Sequence, residues 1–100
     1  MQIQIQSVHF DADAKLLEFI DKKVAKLTTY YEGIVRADVI LRLEPIGHVQ
    51  DKVAEIVLHV PGHNFVAKES YKSFEQATDE CIDSLRRQLI KHKERVRNPA

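Results

Sequence analysis

The chain has 100 residues, of which 44% are hydrophobic and 30% charged, and its 15 Lys and Arg residues balance its 15 Asp and Glu residues. This composition excludes a disordered chain and predicts one domain with a single core. One cysteine excludes an internal disulfide, and the first residues carry neither a basic segment nor an apolar run, so we expect a cytoplasmic protein without a membrane span.

The amino-terminal third predicts a strand followed by a helix. Gln2 to Ser7 alternates glutamine with isoleucine, the period of a strand that buries its isoleucines. Of the two aspartates that follow, Asp13 is the better placed to cap a first helix, which the apolar period extends from about residue 14 to residue 31. Gly33 then stands where a left-handed residue is expected to end the helix.

A second face of this first helix carries cations and aromatic rings. Lysines bind phosphates and rings stack on unpaired bases, so the combination is typical of proteins that bind single-stranded or looped nucleic acid. Such rings more often pack against a neighbouring helix, whereas the lysines predict phosphate binding. The lysines are Lys15, Lys22, Lys23 and Lys26, and the rings are Phe19 and Tyr30.

Two longer alternating segments predict the second and third strands. In residues 35–44, successive side chains alternate between the inward and the outward side of a strand, and the inward positions include Val35 and Leu43. Residues 52–60 alternate in the same way. Between them, Pro45-Ile46-Gly47 interrupts the pattern and predicts a loop that runs to Asp51.

The next segment predicts a hairpin and the start of a last helix. Pro61-Gly62 is typical of a turn, residues 64–69 form a short fourth strand, and Ser70 or Ser73 caps the helix. The order is β-α-β-β-β-α, an α+β fold with a four-stranded mixed sheet and both helices on one face. The crossover makes strands one and two parallel, and the short connections make antiparallel hairpins.

The last helix, residues 74–97, changes charge halfway along. An apolar arc about 100° wide runs its full length and includes Cys81 and His92. Acids occupy the other face of its first half. Residues 86–97, which we call the basic end, contain six Lys or Arg residues and one Glu, a net charge of +5, so the remaining positions sum to −5. Its cations are Arg86, Arg87, Lys91, Lys93, Arg95 and Arg97.

Two interpretations of the basic end compete. Acidic residues in the first turns and basic residues in the last turns of a helix complement its dipole, and each such charge stabilises the helix by about 0.3–1 kcal/mol. Six cations exceed that need, and Arg87, Lys91 and Arg95 repel one another at spacings of four. We therefore favour an anionic partner. The topology also brings the ends of both helices to one edge, which predicts that Lys22, Lys23 and Lys26 join the basic end in one surface.

The sequence lacks the motifs of common enzymes. It has no glycine-rich phosphate loop, no CxxC and no HExxH, and nothing supplies a nucleophile with an adjacent base. We interpret His59 and His63 as solvated residues of a hairpin rather than as ligands of a metal site. Cys81 lies in the apolar arc, which predicts a buried, inert thiol. We expect no catalysis, no cofactor and no metal.

Three segments carry a family resemblance. Residues 83–93, DSLRRQLIKHK, closely resemble the end of the second helix in the bacterial ribosome hibernation-promoting factors and ribosome-associated translation inhibitors. Supporting matches are Ala25-Lys26-Leu27 with Tyr30-Tyr31, and residues 54–60 before the turn. The resemblance spans essentially the whole chain. A departure is YKSFEQ at residues 71–76, where many members read Asp-Met-Tyr-Ala-Ala.

The resemblance implies both a fold and a function. The fold would be similar to double-stranded RNA-binding domains, and the protein would bind the small ribosomal subunit in the channel of messenger and transfer RNA, inhibiting translation. The residues that would contact ribosomal RNA are Lys22, Lys23, Lys26, Arg86, Arg87, Lys91 and Lys93, and we add His92, Arg95 and Arg97 from the same end of the helix.

Length refines this expectation. Residues 1–97 would form a single ribosome-binding domain and residues 98–100 a short tail, as in the short form of the family. That form relies on a separate ribosome modulation factor for any pairing of ribosomes. We expect a monomer when the protein is free. The alternative function is a protein-interaction or regulatory module that docks an acidic partner through the same basic helix.

Overall fold

The computed structural model describes residues 1–46 and 49–97. Four strands and two helices follow the predicted order, so the α+β fold is confirmed. The strands are β1 (Gln2–Ser7), β2 (Arg36–Ile46), β3 (Val49–Val60) and β4 (His63–Tyr71), and the helices are α1 (Ala14–Ala25) and α2 (Phe74–Arg97), with a short 3-10 helix at Lys26–Thr29 after α1.

The sheet has the order β1-β2-β3-β4. β1 runs parallel to β2, with Gln4 opposite Asp38, while β2 with β3 and β3 with β4 pair antiparallel. These directions confirm the predicted crossover and hairpins. Strands β1, β2 and β4 therefore run one way, and each helix returns against its preceding strand.

One core lies between the sheet and the two helices. Ile20 and Val24 of α1 and Leu85 and Leu89 of α2 are fully buried in the same cluster as the inward residues of β2, β3 and β4, of which Ile56 is one. Because both helices contribute to that cluster, they cover the same face of the sheet. The opposite face carries the polar residues of each alternating strand.

The first helix is shorter than expected. The α-helical turns end at Ala25, and the chain continues as a 3-10 helix to Thr29 rather than as an α-helix to residue 31. The hydroxyls of Thr28 and Thr29 donate to the carbonyls three residues earlier, at 2.8 and 2.7 Å, which favours the tighter turn. The predicted cap is confirmed, since Asp13 accepts a hydrogen bond of 2.8 Å from the Leu16 N–H.

Gly33 does not have the expected left-handed backbone; a positive φ, 79°, is found instead at Gly62 in the β3–β4 turn. A Cβ atom at Gly33 would lie 2.6 Å from Cε2 of Tyr31. The glycine thus leaves room for the tyrosine ring to fold back over the chain. Steric space, and not backbone conformation, explains the residue.

The predicted loop from Pro45 to Asp51 is also wrong. β2 continues through Pro45 to Ile46, and Pro45 pairs with Gln50 of β3; Gly47 and His48 lie outside the described residues. The backbone groups of Leu41 face β1, because its carbonyl accepts from the N–H of Val8, just beyond the end of β1. Backbone groups of every second residue face the same side, so the nitrogen of Pro45 also faces the β1 side, but past the last residue of β1. A residue without an N–H is tolerated there because no β1 residue needs that bond.

Two residues assigned to the inward face of the second strand are exposed. Val35 precedes β2 and is 62% exposed, and Leu43 is 38% exposed on the arm of the hairpin that extends past β1. At the other end of the sheet, β4 extends to Tyr71, and Ser73 rather than Ser70 caps α2 by accepting from the Gln76 N–H at 3.1 Å.

Candidate nucleic-acid interface

Lys91, Lys93 and Arg95 are exposed cations of the basic end. Within residues 1–46 and 49–97, none of the three has an acid within 4.0 Å. Lys91 and Arg95 lie on the side of α2 that faces the β3–β4 turn, whereas Lys93 lies on the side of the 3-10 helix. Arg97 ends α2, and its side chain lies outside the described part of the chain.

Arg86 and Arg87 are already engaged by an acid of the same helix. Asp83 accepts from Nη2 of Arg86 at 2.9 Å, and its other oxygen lies 3.3 Å from Nη1 of Arg87. The Arg86 hydrogen bond, followed by the Arg87 charge, lowers the pKa of Asp83. The same hydrogen bond raises the pKa of Arg86. Together with Asp83, these two arginines therefore present a net charge of +1 instead of +2.

Lys23 does not join the basic end as expected. Nζ of Lys23 lies 3.2 Å from Oδ1 of Asp79, in the acidic half of α2. The two helices run in the same direction, so Tyr30, seven residues after Lys23, is the residue that reaches the level of Arg86. For Lys23 the predicted single surface is wrong, because this lysine lies about two turns too early along α2.

The remaining α1 lysines point in different directions. Lys22 lines a groove with Ile3 and Ile5 of β1, on the flank of α1 turned toward β1. Lys26 is exposed at the start of the 3-10 helix that follows α1. Lys15 lies at the start of α1 beside Glu75. The row seen on the helical wheel is therefore spread over several faces of the domain.

The aromatic residues of the first helix pack rather than project. Phe19 and Tyr30 are half-buried against the core cluster. Nζ of Lys23 lies 5.4 Å from the centre of the Phe19 ring, which places a cation over the ring face. This geometry fits helix packing better than base stacking.

His92 is surrounded by rings. Its imidazole lies edge-on to Tyr31 at 5.4 Å and to Phe65 at 5.1 Å, and nearly parallel to His63 at 5.6 Å between ring centres. The cluster joins the segment after the 3-10 helix, the start of β4 and the basic end. His92 is half-buried, so it exposes less surface to solvent than its position in the basic end suggested.

The sequence interpretation missed His63 as a member of this region. It predicted a solvated hairpin residue, which is confirmed because His63 is exposed, but it began the fourth strand one position later. Phe65 and Ala67 were assigned to the inward side, and continuing their alternation backward by one step would have placed His63 on the helix-covered side of the sheet.

Other chemistry finds little support in the described residues. Across residues 1–46 and 49–97 no group of three metal-ligating side chains is close enough to hold an ion. Burial raises the pKa of the Cys81 thiol to about 12, and the thiol donates to the Ala54 carbonyl at 3.3 Å. No described helix is long and apolar enough to span a bilayer.

Comparisons with known proteins agree with this fold and with the family resemblance. The model of the family described as Sigma 54 modulation protein / S30EA ribosomal protein matches residues 3–97. The ribosome hibernation promoting factor of Salmonella typhimurium is 34% identical over 97 residues, covering 97% of this chain and 98% of that protein. The same-named protein of Pseudomonas putida is 33% identical over 95 residues, covering 95% and 89%.

Solved structures share the architecture. A ribosomal subunit interface protein from Coxiella burnetii superposes with a TM-score of 0.82 at 22% identity, over 94% of this chain and 99% of that one. The N-terminal domain of Thermus thermophilus Protein Y gives 0.77 at 24% identity, over 92% and 99%. The chain belongs to the Sigma 54 modulation protein / S30EA ribosomal protein family.

Proposed function

We propose that this chain is a ribosome hibernation factor, which binds the small ribosomal subunit through the basic end of α2 and inhibits translation by occupying the channel of messenger and transfer RNA. The observation that carries the proposal is the exposed group of Lys91, Lys93 and Arg95, which has no acid within 4.0 Å among the described residues. Family membership and the names of the relatives support a ribosomal partner.

The mechanism needs no catalytic step. Cations that meet phosphates supply affinity with little sequence readout, and a folded domain in the channel excludes the RNAs that translation requires. Residues 1–97 would act as one binding domain, monomeric when free, in the cytoplasm. Any pairing of ribosomes would fall to a separate modulation factor.

The test is co-sedimentation with isolated small ribosomal subunits over a series of salt concentrations. With about five to seven phosphate contacts, log K should fall with log salt at a slope of about −4 to −6. Replacing Lys91 and Lys93 by Glu removes two contacts, so the slope should flatten by about 1.4–1.8 and the affinity at ~0.1 M salt should drop at least ~25-fold.

A matched control keeps the change in net charge the same. Lys68→Glu with Lys72→Glu alters two exposed lysines of β4 and the turn before α2, away from the basic end. We expect this control to bind subunits nearly as the parent chain does and to inhibit translation in a cell-free system. Equal losses in both double variants, or subunit binding that ignores salt, would contradict the proposal.

A further inference from the structure

A small pocket lies where the β3–β4 turn meets the basic end of α2. It is lined by His63, Phe65, Gln88, Lys91, His92 and Arg95, and we call it the His63 pocket. His63 is exposed, His92 is half-buried, and Phe65 is buried with only 4% of its surface exposed. The pocket therefore has an aromatic floor and a rim that carries two cations.

The rings are held in fixed orientations. His63 and His92 are nearly parallel, with 11° between their planes, and both meet Phe65 edge-on, His63 at 4.5 Å and His92 at 5.1 Å. Phe65 is anchored in the core, and His92 lies nearly parallel to His63, so one face of the His63 ring is turned toward His92. The other face of an exposed ring is free to stack on a planar group.

The cations lie on the same side as this ring. Lys91 and Arg95 are separated by one helical turn, and within the described residues neither has an acid within 4.0 Å. A nucleotide joins an anionic phosphate to a planar base, so it can contact the cations and the ring together. A base within a duplex has both faces covered by its neighbours, so only an unpaired nucleotide can present a face to His63.

We propose that the His63 pocket holds one unpaired nucleotide of RNA, with its base stacked on His63 and its phosphate between Lys91 and Arg95. This rests on the proposed function and adds a single-stranded segment to the RNA that the protein contacts. The amide nitrogen of Gln88 already donates to the Val66 carbonyl and to Ser84 Oγ, each at 3.2 Å, so it is not free to donate to a base.

The experiment compares His63→Ala and His63→Phe in binding to a short single-stranded oligoribonucleotide that contains 2-aminopurine. Stacking is worth about 1–3 kcal/mol per base, so His63→Ala should weaken binding about 5- to 150-fold without changing the salt slope. His63→Phe keeps a ring and should retain the affinity and the quenching of 2-aminopurine emission. Lys91→Ala should instead flatten the slope by about 0.7.

Three controls sharpen the result. Asn64→Ala alters an exposed neighbour in the same hairpin and should leave binding unchanged. The same oligonucleotide in a duplex should bind with no difference between the parent chain and His63→Ala. Adenosine monophosphate should compete poorly, since a free nucleotide lacks the neighbouring phosphates of a strand.

The outcomes separate this inference from the proposed function. A parent chain that fails to bind small subunits overturns the proposed function. Salt-dependent subunit binding, together with unchanged oligonucleotide binding by His63→Ala, overturns the stacking site alone. Loss of binding in His63→Phe as well as in His63→Ala refutes a ring-stacking role, and efficient competition by adenosine monophosphate refutes the assignment to a strand.

Discussion

Asp83→Asn is expected to strengthen binding to the small ribosomal subunit. In the folded chain Asp83 lies 2.9 Å from Arg86 and 3.3 Å from Arg87, and its charge cancels one of theirs. Asparagine has nearly the same size and helix propensity, so the substitution removes the charge without disturbing the backbone. Both guanidiniums then become available to phosphates.

The size of the gain follows from the charge count. Asp83, Arg86 and Arg87 together change from a net charge of +1 to +2. One additional phosphate contact makes the slope of log K against log salt more negative by about 0.7–0.9, which raises the affinity about five- to eightfold at ~0.1 M salt. The effect on Lys91 is smaller, because about 12 Å of helix separates it from Asp83 and the Debye length at that salt is about 10 Å.

Salt titrations by co-sedimentation with small subunits measure this change. Glu75→Gln serves as the control, since it alters net charge equally at the other end of α2. If Asp83→Asn binds no better than Glu75→Gln, the arginines do not contact phosphates. Binding weaker than that of the parent chain would mean that Asp83 orients the arginines for RNA, and would refute the idea that its charge only competes with phosphate.

Three further outcomes concern stability. The pKa of Asp83 is lower in the folded chain than its ordinary value of 3.8, so the charged carboxylate stabilises the fold at pH values above 3.8. This stabilisation is lost as pH falls through the folded-state pKa. In urea unfolding, the parent chain should therefore lose its stability advantage over Asp83→Asn in acid. Thr78 is fully buried and its hydroxyl has no hydrogen-bond partner among the described residues, so Thr78→Val should raise the free energy of unfolding by about 1 kcal/mol at constant m-value, and a decrease would show that the hydroxyl is satisfied. Burial raises the pKa of Cys81 from 9.0 to about 12, so the folded chain retains a proton that the unfolded chain releases; stability should fall by up to about 1.4 kcal/mol per pH unit above pH 9, and Cys81→Ala should lack that component.

The fold was predictable because its signals are local. Alternation located β1 and most of β2 and β3, and the long apolar arc located α2 with the bounds that the structure shows. The handedness of the crossover and the short hairpins then left few arrangements of four strands. The errors fall at ends, where a few side-chain hydrogen bonds or a missing neighbouring strand decide the outcome, as at Thr28 and Pro45.

The site was less predictable, because it depends on how far one helix is displaced along another. The helical wheel gives the direction in which Lys23 points but not its level relative to α2, and that level pairs it with Asp79 rather than with the basic end. Likewise, the strand alternation gives the side of the sheet on which His63 lies but not its position along α2, and that position places its ring beside His92. The basic end itself was visible because its charges lie within one continuous helix.

The pairing of charges along α2 has a consequence for orientation. Asp79 pairs with Lys23, and Asp83 offsets one of the two charges of Arg86 and Arg87, so positive charge is reduced in the first half and middle of the helix. The uncancelled cations begin at Lys91, past the level that α1 reaches. Since the rest of the chain carries a net charge of −5, a polyanion attracts this end and repels the remainder of the domain. A neutral protein with this distribution would therefore approach RNA with the end of α2 leading, which is the orientation that inserts the His63 pocket first.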